Sequence, residues 1–240
     1  MNSSYSTEQH YGAEVHIIKT SPGNIEMYLI QDTLWNVAGN YGINANFFGS
    51  LSAIYGIAIN GNTPVGSGDN DGSHNGADPD KKYSRGTLAY YNNGTFALET
   101  VYDYTELSNY QDLEWVVGGG ELFLQETLTE PEFRNKLEAS PRNWDWSTVL
   151  SGSSNRGRSG IGYDYQGNIC IFGVSEDTGV TLYEFRDIAD SIGCYKAIFL
   201  DGGGSSQLIW SDGRDYYGFR SIESDGSERE VPTMVRLKNI

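Results

Sequence analysis

The stretch Lys196–Ile209, K-A-I-F-L-D-G-G-G-S-S-Q-L-I, constrains the fold more than any other. Ala197-Ile198-Phe199-Leu200 is a short unbroken apolar run, the pattern of a strand buried on both faces. It stops at Asp201, and Gly202, Gly203, Gly204, Ser205 and Ser206 follow before Gln207-Leu208-Ile209-Trp210 restores apolar character. Glycine lets backbone approach a ligand closely, so the Gly202–Ser205 amides are expected to form an anion-binding nest with Asp201 at its lip. A Gly/Ser turn between two strands is the other reading of the same residues.

The chain has 240 residues, enough for one domain with a substantial core. Its 30 glycines, 17 tyrosines and only 6 prolines, with many short apolar runs, point to a sheet-rich fold with numerous turns. The fold class expected is α+β: a single domain with a largely antiparallel or mixed sheet core and few helices. A formal charge of −16 argues against a nucleic acid polymer as partner. A small anionic substrate is compatible with it, because surface charges beyond about 8 Å are screened at physiological salt. No run approaches the roughly 20 apolar residues of a membrane span.

Residues 1–12 are polar and read as a flexible start, with 13–240 as the domain. They show no export signal, which points to the cytoplasm (the host's, for a phage-encoded chain) or to an exported protein whose leader has been trimmed. Cys170 and Cys194 are too few for a disulfide framework and read as buried reduced thiols.

Ala13–Thr20 and Ile25–Gln31 read as strands around the turn signal Ser21-Pro22-Gly23-Asn24. In Gly42–Gly49, Asn44 and Asn46 would share one strand face, a poor core pattern but one suited to sugar hydroxyls. The polar segment 61–86 is expected to be a loop insertion. Within it Asp69-Asn70-Asp71-Gly72-Ser73 resembles the start of a calcium loop, with the glycine misplaced and no closing glutamate. Thr87–Tyr91 and Thr95–Val101 form a hairpin around Asn93-Gly94.

Leu113–Leu124 reads as a strand, a turn at Gly118–Gly120, and Glu121 on a second strand. Burial there would raise the Glu121 pKa toward acid–base duty; an exposed strand-end glutamate is the alternative. Trp144 and Trp146 either stack on a sugar ring or cap the core. Arg158, followed by Ser159 and Gly160, offers a fork for a phosphate or carboxylate. Thr181–Glu184 is a capping box that opens a helix running to Ile192. The three histidines have no metal-ligand spacing, so no catalytic metal and no cofactor is expected.

The order Asn44–Phe48 (N-A-N-F-F), Arg158–Gly162 (R-S-G-I-G), the helix at 181–192, Asp201–Ser206 (D-G-G-G-S-S) and Arg229–Leu237 (R-E-V-P-T-M-V-R-L) resembles the phosphodiester glycosidases. The resemblance covers roughly residues 40–237 and is strongest from Arg158 onward. It implies a mixed α/β domain that hydrolyses the anomeric bond of a sugar 1-phosphodiester. Onto this chain it carries Asn46, Arg158, Asp201, Gly202, Gly203, Gly204 and Ser205 as site positions. Departures from the family are Ala45-Asn46 where glycine usually stands between the asparagine and the aromatic pair, Glu121 after the glycine triplet, the 61–86 loop and the Trp144-Asp145-Trp146 region.

The expected catalytic residues are thus Asp201, Glu121 and Arg158, with Asn44, Asn46, Ser159 and Gly202–Ser205 binding the substrate. The partner would be a sugar phosphate, a nucleotide-like small molecule or a glycopolymer. A carbohydrate- or nucleotide-binding module without turnover is the alternative. A phosphate is already a good leaving group, so such a site needs charge stabilisation and a carboxylate near C1 more than a strong acid.

Overall fold

A computed structural model of the chain describes residues 3–66, 83–146, 152–223 and 225–240. The N-terminal part holds β1 (Ser4–His10), β2 (Ala13–Thr20), β3 (Ile25–Asp32), β4 (Gly42–Asn44), β5 (Phe47–Ser50), β6 (Ala53–Tyr55), β7 (Ala58–Asn60) and β8 (Thr63–Pro64). The middle holds β9 (Arg85–Tyr91), β10 (Phe96–Val101), β11 (Leu113–Glu121), α1 (Glu130–Glu138), β12 (Arg158–Asp164) and β13 (Ile169–Val174). Then come α2 (Leu182–Ser191), β14 (Cys194–Phe199), β15 (Gln207–Ser211), β16 (Tyr216–Arg220) and β17 (Val231–Leu237).

Among the described residues these strands form three antiparallel arrays. The largest has ten strands along the path β1-β2-β13-β12-β14-β11-β7-β8, with β9 also on β11 and β10 on β9. The second has the order β16-β15-β4-β17-β3, and β5 and β6 make a separate pair. This is the α+β domain with few helices that the sequence predicts.

Side-chain alternation divides the core into two. One face of the large sheet, with Ile18, Ile161, Ile171 and Ile198, packs on Met27, Ile43, Leu208 and Val235 of the smaller sheet. Its other face, with Phe172 and Phe199, packs on α2 through Phe185 and Ile188 and on α1 through Phe133 and Leu137. The order of layers is therefore helices, large sheet, small sheet.

The α2 cap is the predicted box: the Thr181 N–H and hydroxyl donate to Glu184 Oε2 at 2.8 and 2.9 Å, and the Glu184 N–H donates to Thr181 Oγ1 at 3.2 Å. Such a cap contributes about 1 kcal/mol, whereas each fully buried Leu, Ile or Phe contributes about 1.5–3 kcal/mol. Packing holds the helix in place, and the cap sets where it begins.

Two expectations need correction, and one open alternative is decided. Residues 4–10 are not a frayed start: β1 pairs residue for residue with β2 across Tyr11-Gly12. Its polar sequence suits an edge strand that half-buries little more than Tyr5. Gly118–Gly120 is not a turn but part of the continuous strand β11. A Cβ on Gly120 would overlap the Phe199 ring, and one on Gly119 the Phe199 carbonyl oxygen, so glycine is needed for close approach of β14. Trp144 and Trp146 are both buried, packed with Phe199 and Phe133 respectively, and belong to the core.

The polar segment 61–86 is not wholly a loop, since Thr63–Pro64 forms β8 and Arg85-Gly86 begin β9, with residues 67–82 outside the described residues. The Asn93-Gly94 hairpin joins β9 to β10, and Cys170 and Cys194 are buried free thiols. Among the described residues no helix is long and apolar enough to cross a membrane. Asp69–Ser73, the calcium-like stretch, lies outside the described residues.

Candidate active site

Strand β14 delivers Asp201 to a seam between the two large arrays. The Leu200 N–H still donates to Ser159 O of the large sheet, at 2.8 Å; one residue later the Asp201 N–H donates to Ala45 O, just past β4, at 3.0 Å. The chain changes sheets at the carboxylate.

Asn44 fixes this crossing. Its Nδ2 donates to Asp201 O at 2.8 Å, while its Oδ1 accepts from Ser159 Oγ at 2.7 Å and from Gln207 N at 3.0 Å. Both ends of the glycine loop are thereby tied to one buried amide. Asn46 does similar work nearby: it donates to Ile57 O at 3.0 Å, and its Oδ1 accepts from the Thr233 hydroxyl at 2.9 Å. Asn44, Asn46 and Ser159 are therefore at the site, but their polar atoms hold the protein together instead of facing a sugar.

The loop itself departs from the expected nest. The Gly202 N–H donates to Asp201 Oδ1 at 3.0 Å, Gly203 N–H to Gly157 O at 2.8 Å, and Ser205 N–H to Gly202 O at 3.3 Å. These three amides are spent within the protein, so most of the charge for an anion comes from side chains. Glycine serves approach here. Gly203 has φ +62°, and a Cβ on it would stand 2.9 Å from Arg156 Nη2, while one on Gly204 would overlap the Glu223 carboxylate.

Three arginines reach this loop. Arg158 is buried, its stem beside Gly202, and it donates from Nε to Val180 O and from Nη2 to Ser154 O, each at 3.1 Å. Burial pulls its pKa down to about 10, with Glu176 opposing and Arg156 reinforcing the shift, so it stays cationic at neutral pH. Arg156 pairs with Glu176 at 2.9 Å and is half-exposed. Arg229 pairs with Glu223 and donates from Nη1 to Ser205 Oγ at 3.4 Å.

Asp201 itself is only partly exposed. Burial pushes its carboxyl up to about 6, against the downward pull of the Ser205 hydroxyl, the Gly202 N–H and the charge of Arg229. A carboxyl in that range can hold or release a proton near neutral pH.

Glu121 is not brought to Asp201. It lies opposite Ile198, three residues back along β14 and so about 10 Å away at strand rise, on the face away from Phe199. Burial raises its pKa, opposed by Arg142, Lys136 and Lys196. The carboxylates that do reach the loop are Glu176 and Glu223.

The residues that sequence reasoning missed are Arg156, Glu176, Glu223 and Arg229. Arg156 stands two positions before Arg158, and Arg229 opens the tail motif; these were the available signals. Among the described residues, no three His, Cys, Asp or Glu side chains gather closely enough to hold a metal ion.

The chain resembles several solved structures. The catalytic domain of zebrafish N-acetylglucosamine-1-phosphodiester alpha-N-acetylglucosaminidase, auto-inhibited by its pro-peptide, aligns at a TM-score of 0.64 and 15% identity, covering 100% of this chain and 83% of that one. A Synechocystis protein aligns at 0.56 and 12% identity over 97% of this chain and 61% of its own length. A Burkholderia pseudomallei protein aligns at 0.51 and 12% identity over 94% of this chain and 74% of its own. At these identities the likeness is one of fold. No curated protein sequence matches. The family model for phosphodiester glycosidases matches residues 40–238. That span takes in Asn44, Arg158, Asp201, the glycine loop and Arg229, and the chain belongs to the phosphodiester glycosidase family.

Proposed function

We propose that this protein hydrolyses the anomeric C–O bond of a sugar 1-phosphodiester, with Asp201 at the sugar carbon and the arginines around the glycine loop on the phosphate. The observation that carries this reading is the Asp201 carboxyl, raised to about 6 and set beside a loop that Arg156, Arg158 and Arg229 approach. Glu176 and Glu223, paired with Arg156 and Arg229, moderate the positive charge at the loop. That suits a diester, which carries one negative charge.

When the bond breaks, the phosphate gains charge and the guanidinium groups stabilise it. Ionised Asp201 then supports the electron-poor sugar carbon or takes a proton from the attacking water. Asn44 positions Asp201 through its backbone carbonyl, and Ser205 links the carboxyl to Arg229.

One observation favours a second reading, a sugar- or nucleotide-binding module without turnover: Glu121 does not pair with Asp201. The test is incubation with UDP-GlcNAc, a GlcNAc-1-phosphate diester, wall teichoic acid and a cyclic ADP-ribose-type nucleotide, followed by mass spectrometry. Release of free sugar and a phosphomonoester, lost in Asp201→Asn, is the expected result. Binding without product from any of the four would leave the module reading in its place.

A further inference from the structure

A separate cavity of about 210 Å³ opens between the ends of β11 and β14 and the turn after β11. Leu98, Leu124 and Ala197 give it an apolar wall, and Glu121 and Lys196 face it from neighbouring strands. Glu121 stands opposite Ile198, and Lys196 lies two residues earlier on the same face of β14. The two are diagonal neighbours, with Cβ atoms about 7–8 Å apart.

These opposite charges act on each other only at a distance, Lys196 joining Arg142 and Lys136 in drawing the Glu121 pKa down. Among the described residues the Glu121 side chain makes no hydrogen bond and no ion pair. Lys196 likewise makes no ion pair, its ammonium lying 6.0 Å from the Tyr195 ring centre. The other polar groups at the rim are occupied: Glu126 pairs with Lys136, and Gln125 Nε2 donates to Tyr195 O at 2.6 Å. A carboxylate and an ammonium are left facing one cavity.

The turn that closes the cavity is strained. Phe123, bulky and buried, has φ +49°, in the left-handed region that large side chains rarely enter. Such strain is retained where surrounding structure enforces it, commonly at ligand clamps.

Size and charge together select the occupant. The volume of about 210 Å³ falls below the about 300–1,000 Å³ of sites for drug-sized ligands. A ligand with a single charge engages only one of Glu121 and Lys196, whereas one with both charges can contact each directly.

We infer that this cavity binds a small zwitterion of amino-acid size, its ammonium on Glu121, its carboxylate on Lys196 and its carbon body on the apolar wall. The site is distinct from Asp201 and stands whether or not the glycosidase reading holds.

Isothermal titration calorimetry on the whole chain tests it, with glycine, L-alanine, L-serine and L-threonine as probes and acetate, methylammonium and glucose as single-feature controls. At least one amino acid should bind below about 1 mM, and each control at least about tenfold more weakly. Glu121→Gln and Lys196→Met should each weaken that binding about tenfold or more while keeping the circular dichroism spectrum of the wild type. Asp201→Asn should bind the amino acid as the wild type does. Absence of amino-acid binding below about 10 mM, unchanged binding in both cavity variants, or loss of binding in Asp201→Asn would overturn the assignment.

Discussion

Asp201 sits where function and stability pull against each other. Its folded pKa is raised from 3.8 to about 6, so across that interval the native protein binds more protons than the unfolded chain. Stability from this group is therefore greatest below about pH 4 and falls as pH rises through about 6. At neutral pH the cost is at most about 3 kcal/mol, and less in practice because the carboxyl is partly open to water. Asp201→Asn should thus melt a few degrees above the wild type at pH 7–8 and level with it near pH 4, as read by thermal denaturation. Its kcat should fall by about a hundredfold or more. A variant that melts lower at pH 7 and keeps its turnover would make Asp201 a turn residue. Arg229 offers a complementary probe. Its charge lowers the Asp201 pKa, so Arg229→Ala should move the corresponding limb of the kcat/KM profile to higher pH. Asp201 and Arg158 were legible because a carboxylate and a cation stood out beside small residues. Arg229 was not, since only the folded chain brings it to Ser205.

At the level of elements, the sequence was most readable where one local rule dominated. The Asn93-Gly94 hairpin and the Thr181 capping box each depend on a few adjacent residues, and both lie where expected. Gly118–Gly120 misled because glycine has two uses, turning a chain and letting another chain come close, and only β14 shows which applies. The same blindness affected Asn44 and Asn46, whose amides looked available for sugar until Gln207, Ser159 and Thr233 claimed them. The steric account of the triplet is open to measurement. Gly120→Ala and Gly119→Ala should each destabilise the protein by about 1–3 kcal/mol, the usual cost of overpacking. Gly119→Ala should be the worse of the two, because the obstacle is backbone, whereas the Phe199 ring met by Gly120→Ala can tilt. Urea titration would rank them. Equal stability of both variants with the wild type would mean that β11 and β14 are held apart more loosely than described.

For the whole molecule, charge is the dominant long-range term. At −16 the chain repels itself, and the compact state bears more of that repulsion than the extended one. Raising ionic strength from about 0.01 M to 0.15 M shortens the screening length from about 30 to 8 Å. The melting temperature should rise over that range; a fall would show that ion pairs such as Arg236–Glu26 outweigh the repulsion. Sheet order adds a constraint in time. β4, at residues 42–44, lies between β15 and β17, and Asn44 is in register with Met234. A ribosome working at about 5–20 residues per second makes the two roughly 10–40 s apart. Until β15 and then β17 are made, β4 lacks its neighbours in the sheet, and the amide that steadies Asp201 is not fully fixed. Any activity at Asp201 should therefore switch on only as synthesis finishes, so that a half-made chain stays inert.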